Sequence, residues 1–108
     1  MRTTTESAVY STLGSDPDLG ELVEMFVEEM PDRIAVFEAA LAGGDLESLR
    51  RSAHQLKGAG GSYGFDQLTP LAEAAEFAAR DGEPEEVIQR TVLELLNVCR
   101  RLRAGQPA

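Results

Sequence analysis

The stretch Asp45–Phe65, DLESLRRSAHQLKGAGGSYGF, decides how the chain folds. Leu46, Leu49, Ala53, Leu56 and Gly60 recur at three- and four-residue intervals, the spacing of one face of an α-helix. Asp45 stands at the N-cap position, and Gly64 is placed to end the helix. This run also holds the only histidine of the chain, His54, followed within ten residues by Gly58, Gly60, Gly61 and Gly64. An interior glycine costs a helix roughly 1 kcal/mol relative to alanine. A helix that keeps three of them has a use for the missing side chains.

A helical wheel divides those uses. His54 points roughly 120° away from the centre of the apolar stripe, so it belongs on the exposed flank. Arg50, Arg51, Lys57, Gly58 and Gly61 share that side, with Glu47 nearly two turns back. No Asp or Glu lies between Ser48 and Phe65, so the patch reads as basic as well as low in bulk. Gly60 falls on the core stripe, where it lets a neighbouring helix approach. An exposed imidazole, cleared of neighbours and flanked by cations, suits a nucleophile reached by a large anionic partner. Phosphoryl transfer is the chemistry that fits: a neutral ring nitrogen attacks in line, and cations stabilise the equatorial oxygens.

Outward from this helix the pattern remains helical. Asp16-Pro17 reads as a helix start, and Leu19, Leu22, Val23, Phe26 and Val27 follow at helical spacing. Pro31 disfavours helix at Met30, so a kink or restart is expected there. Ile34, Phe37, Ala40 and Leu41 form the second half of this arm, stopped by Gly43-Gly44. A further helix is expected over about 66–80, with Leu68, Leu71, Ala75 and Ala78 inward. A last one is expected over about 84–102, where Ile88, Thr91, Val92, Leu95, Val98, Cys99 and Leu102 recur at helical spacing. No strand is expected; Val9, Tyr10 and Leu13 would form a short turn on one end. One apolar stripe per helix and short connections predict an all-α, antiparallel up-down four-helix bundle. Its expected limits are 16–103, preceded by a partly disordered segment over 1–15 and followed by a frayed tail over 104–108.

Composition narrows the function. The 108 residues make one small domain with a formal charge of −9, which argues against sequence-independent binding to nucleic acid or to anionic membranes. The single cysteine, Cys99, cannot form an internal disulfide and reads as a buried helix residue. The polar start MRTTTES carries no signal peptide, and no apolar run nears the ~20 residues of a membrane span, so a cytoplasmic monomer is expected. Glu21, Glu24, Glu28 and Glu29 read as a solvated face. No metal site, nucleotide loop or Ser/His/Asp set is evident.

The run His54-Gln55-Leu56-Lys57-Gly58, with Gly64 ten residues after the histidine, resembles the signature of histidine-containing phosphotransfer (HPt) domains. The acidic first arm with its proline break and the later LAEAAE helix extend the resemblance over nearly the whole chain, with no departure at a motif position. The resemblance implies that His54 accepts a phosphoryl group from a receiver-domain aspartate and passes it to another. It implies that Lys57 helps neutralise that group and that Gly58 leaves room for the receiver. Mg²⁺ and most catalytic groups would then belong to the partner receiver, and this chain would bind no cofactor and be no autonomous enzyme. The expected partners are response-regulator receivers, a hybrid histidine kinase, or both. Arg50 and Arg51 lie outside the motif and read equally as docking contacts or as an ordinary charged face. The residues alone also admit a different class, a docking module that binds a receiver or kinase without accepting phosphate. An apolar rim for docking is expected near His54, with Tyr63, Phe65 and the preceding helix as candidates. The start at Met1 and the short tail favour a free-standing protein.

Overall fold

The computed structural model describes residues 7–105, so the expected disorder of residues 1–6 and the end of the expected tail, 106–108, lie outside the described residues. A short strand β1 (Val9–Tyr10) leads into α1 (Gly20–Glu28) and α2 (Met30–Gly43). Then follow α3 (Leu46–Ser62), α4 (Leu68–Arg80), α5 (Glu85–Cys99) and a second short strand, β2 (Leu102–Arg103). The helices α1 and α2 form one bent arm. With α3, α4 and α5 they make the expected all-α four-helix bundle.

The caps explain where the helices start. The Asp45 carboxylate accepts from the Ser48 backbone N–H at 3.1 Å and from the Ser48 hydroxyl at 2.7 Å, which fixes the first turn of α3. Asp16 accepts from the N–H groups of Asp18 and Leu19, but it caps a preceding turn, and regular helix begins only at Gly20. The break in the arm falls at Glu29. The restart expected at Met30 is found there: Met30 is the first residue of α2 and is buried. Pro31 thus enters the first turn of α2, where its missing N–H has no intrahelical partner to lose.

Between the helices runs a core that includes Val23, Phe37, Leu49, Leu56, Leu68, Val92 and Leu95. Phe26 packs against Tyr63 and Phe65, with ring centroids 5.1 and 5.7 Å apart, and so ties α1 to the end of α3. Cys99 is buried as expected, and burial pushes its thiol up to about 12. Among the described residues no helix is long and apolar enough to cross a membrane.

The chain ends differ from expectation. The last helix stops at Cys99, short of 102, and Leu102 turns inward from β2 instead. The two strands pair in parallel, Val9 opposite Leu102 and Tyr10 opposite Arg103. Two-residue strands carry no readable periodicity; what defines them is the burial of Val9 and Leu102 against the bundle. Next to β1, Thr12 N–H donates to Gly64 O at 2.9 Å. Gly64 has φ +80°, and a Cβ there would lie 2.6 Å from Ser11 Oγ, so both conformation and space require glycine.

Gly60 sets the approach of α4 to α3. A Cβ at this position would sit 2.9 Å from Leu68 Cβ and 3.2 Å from Leu68 Cδ1. At Gly58 a Cβ would meet nothing within 4 Å. Opposite outcomes are therefore expected: Gly60→Ala lowers stability by about 1–3 kcal/mol through overpacking, whereas Gly58→Ala raises it by up to about 1 kcal/mol. Urea unfolding followed by circular dichroism measures both, and equal effects of one sign would contradict the packing assigned to Gly60.

Candidate functional site

The flank shared by α3 and α4 carries the site. The two helices run antiparallel: Gly60 faces Leu68 near the connecting loop, and His54 and Lys57 meet Glu76 further along. His54 stands on the outer side of α3 with its side chain 63% exposed, in the direction the wheel indicates. Its Nδ1 lies 2.9 Å from Oε2 of Glu76. Lys57 Nζ lies 2.9 Å from the other oxygen, Oε1, so one carboxylate holds both α3 side chains.

Glu76 is 8% exposed. The Lys57 ammonium holds its carboxyl below the ordinary value of 4.5 against the opposing effect of burial, and the hydrogen bond to His54 adds to the lowering. An ionised carboxylate can only accept, so the hydrogen between it and the imidazole belongs to Nδ1. In the neutral ring the lone pair is then on Nε2, the nitrogen not engaged by Glu76. The carboxylate thus selects the tautomer and fixes the ring plane.

The surrounding charge is more balanced than the sequence indicates. Reading α3 alone found no acid near the histidine. The acid comes from α4, and it could have been found there: Glu76 is four residues after Ala72 and three before Ala79, both buried, so it borders the apolar stripe. Arg50 pairs with Glu47 through Nε at 3.1 Å, and Arg51 Nη1 lies 3.7 Å from the same carboxylate. Three cations on this flank therefore meet two carboxylates, Glu47 and Glu76. Arg50 and Arg51 face back along α3 toward Glu47, while Lys57 alone of the three contacts the carboxylate that holds His54.

The glycines leave the imidazole accessible. Gly58, one turn beyond His54, opens onto free space, and a Cβ at Gly61 would make only an ordinary 3.8 Å contact with Thr69 Oγ1. The expected apolar rim is placed differently. Phe65 is 1% exposed and packs inward on Phe26, so it cannot serve as a docking contact. Tyr63 is half-buried against the same ring. Among the described residues the exposed large apolar side chains are Leu22 and Met25 on α1, Val36 on α2, Leu46 on α3, Phe77 on α4 and Leu93 on α5; Val36 is on the preceding helix, in a groove with Ser52 and Gln55 of α3.

A family model described as Hpt domain matches residues 21–105, most of the chain. No curated protein and no solved structure gives a significant match.

The lowered pKa of Glu76 predicts a pH dependence. The native state binds this proton less readily than the unfolded chain does. The stabilisation by ionised Glu76 is thus present above 4.5 and lost as pH falls through the lower folded value. Wild type is expected to be more stable than Glu76→Gln at pH 7, with the gap closing as pH falls below 4.5 and through the lowered folded value. Denaturant midpoints measured across that range check this; a gap that stays constant with pH would contradict the ionised pairing.

Proposed function

Because the chain belongs to the Hpt domain family, we propose that it relays a phosphoryl group between receiver-domain aspartates through phosphohistidine at His54. Members of the family are phosphocarrier modules of two-component signalling that work with receiver domains and kinases. The observation that carries the finer reading is the His54–Glu76 pair, 2.9 Å between Nδ1 and Oε2, on a surface that Gly58 leaves open.

The chemistry follows from the tautomer. The Nε2 lone pair attacks the phosphorus of an aspartyl phosphate; a P–N bond forms, the P–O bond breaks, and the aspartate leaves as its carboxylate. The ring becomes a phosphoimidazolium that keeps its hydrogen on Nδ1, and its new positive charge faces Glu76. In the return direction a receiver carboxylate attacks phosphorus and Nε2 departs with its electron pair, again as a neutral ring protonated on Nδ1. No proton has to move in either direction, so the carrier needs no general base. Lys57 supplies positive charge for the phosphoryl oxygens, and Gly58 and Gly61 clear the approach. Mg²⁺ and the in-line positioning belong to the partner receiver. The chain is then a cytoplasmic monomer that carries phosphate without catalysing its own loading. Arg50 and Arg51, tied to Glu47, would serve the partner as an oriented basic edge.

Incubation with a phosphorylated receiver domain and Mg²⁺ tests this reading. An acid-labile, base-stable phosphate should appear on the protein and be absent from His54→Gln. Gly58→Leu should keep the fold yet slow transfer at least about tenfold, the effect of displacing reacting atoms by an ångström or so. Folded protein that takes phosphate from no receiver of its source organism would leave the docking-module reading in place of the relay.

A further inference from the structure

Three of the four phenylalanines, Phe26, Phe37 and Phe65, are 1–2% exposed, whereas Phe77 is 37% exposed. It follows Glu76 directly on α4, beside the buried Ala75, Ala78 and Ala79. Two cations lie over its ring. Lys57 Nζ is 5.7 Å from the centroid, and the Arg80 guanidinium carbon is 4.3 Å from it. Both distances lie within the range of cation–π attraction. Arg80 is further held by Asp81, with Nε 2.8 Å from Oδ1, and its charge interacts with Glu76 one turn back.

We propose that Phe77 is a positioning residue of the phosphoryl-transfer site: its aromatic face holds the Lys57 ammonium and the Arg80 guanidinium beside the His54–Glu76 pair. The proposal rests on His54 being the phosphoryl acceptor. In the resting site Lys57 is bound to Glu76. A phosphoryl group on Nε2 competes with that carboxylate for the same ammonium. A lysine head released by Glu76 would ordinarily scatter among solvated rotamers. Over an aromatic face it stays near both anions and passes between them. Arg80, held by Asp81, adds a second cation over the ring, one turn along α4 from Phe77. An aliphatic side chain of the same size would fill the space without attracting either charge.

The test compares Phe77→Leu, which keeps apolar bulk, with Phe77→Tyr, which keeps the ring. Phosphoramidate serves as the donor, so no partner takes part: Nε2 attacks phosphorus, the donor's P–N bond breaks and ammonia departs. His54 labelling is expected to slow about five- to tenfold in Phe77→Leu and to stay within about twofold of wild type in Phe77→Tyr. Equal rates in all three proteins, or a Tyr variant as slow as the Leu variant, would overturn the proposal. So would a Leu defect confined to transfer from a phosphorylated receiver and seen only in KM, because the ring would then be a docking contact. A wild-type measurement needs no variant: the Lys57 Hε and Arg80 Hδ protons should be shifted upfield by the ring current, and unshifted resonances would refute the placement. Failure of wild type to exchange phosphate with any receiver, alongside ring-dependent phosphoramidate labelling, would overturn the relay reading and leave this one standing.

Discussion

Everything at the site depends on one buried-edge carboxylate from another helix. Glu76 is mostly removed from water, and its two oxygens are taken by His54 and Lys57. An unpaired carboxylate in that position would be costly. Paired as it is, it orients an otherwise free imidazole and assigns the tautomer. The arrangement in turn requires α3 and α4 to lie close together, which Gly60 permits against Leu68. A glycine on the apolar face of α3 therefore acts on the placement of the His54 imidazole at one remove, through the distance between two helices.

Gly58 within α3 and Gly64 just beyond it contribute in a different way. A Cβ at Gly58 would meet nothing within 4 Å, so the surface stays open around His54, while Gly64 takes up a left-handed conformation beside residues 11 and 12. Helix propensity is given up for access at Gly58 and for packing at Gly60, whereas Gly64, beyond the end of α3, supplies the turn. The proposed relay chemistry needs little from the chain. A carrier that binds a neutral ring, gives it a counter-charge and leaves one nitrogen exposed can be loaded and unloaded by the same geometry.

Periodicity carried much of this reading. The stripe Leu49, Ala53, Leu56, Gly60 placed α3, oriented His54 outward and assigned Gly60 to the helix contact, because all three are local consequences of a 3.6-residue repeat. What depended on a second element was not legible in the same way. Glu76 is 22 residues from His54, and no wheel drawn on α3 could include it. The basic patch was consequently overread, since the acids that face it lie on α4 and back at Glu47. Phe65 looked available for docking until its ring proved to be the anchor for Phe26. The paired strands escaped notice because two residues form no pattern and their partners sit at opposite ends of the chain. Pro31 was legible as a break because a proline constrains its own neighbours: the helix restarts at Met30, and the proline enters the first turn, where its missing donor matters least.

The central claim is that Glu76 holds the hydrogen on His54 Nδ1 and leaves Nε2 to carry the phosphate. Long-range ¹H–¹⁵N correlation spectra of the ¹⁵N-labelled protein, before and after phosphorylation, report both nitrogens directly. The account predicts a protonated Nδ1 in both states and phosphorus bonded to Nε2. Phosphorus on Nδ1, or an unphosphorylated ring protonated on Nε2 alone, would contradict it.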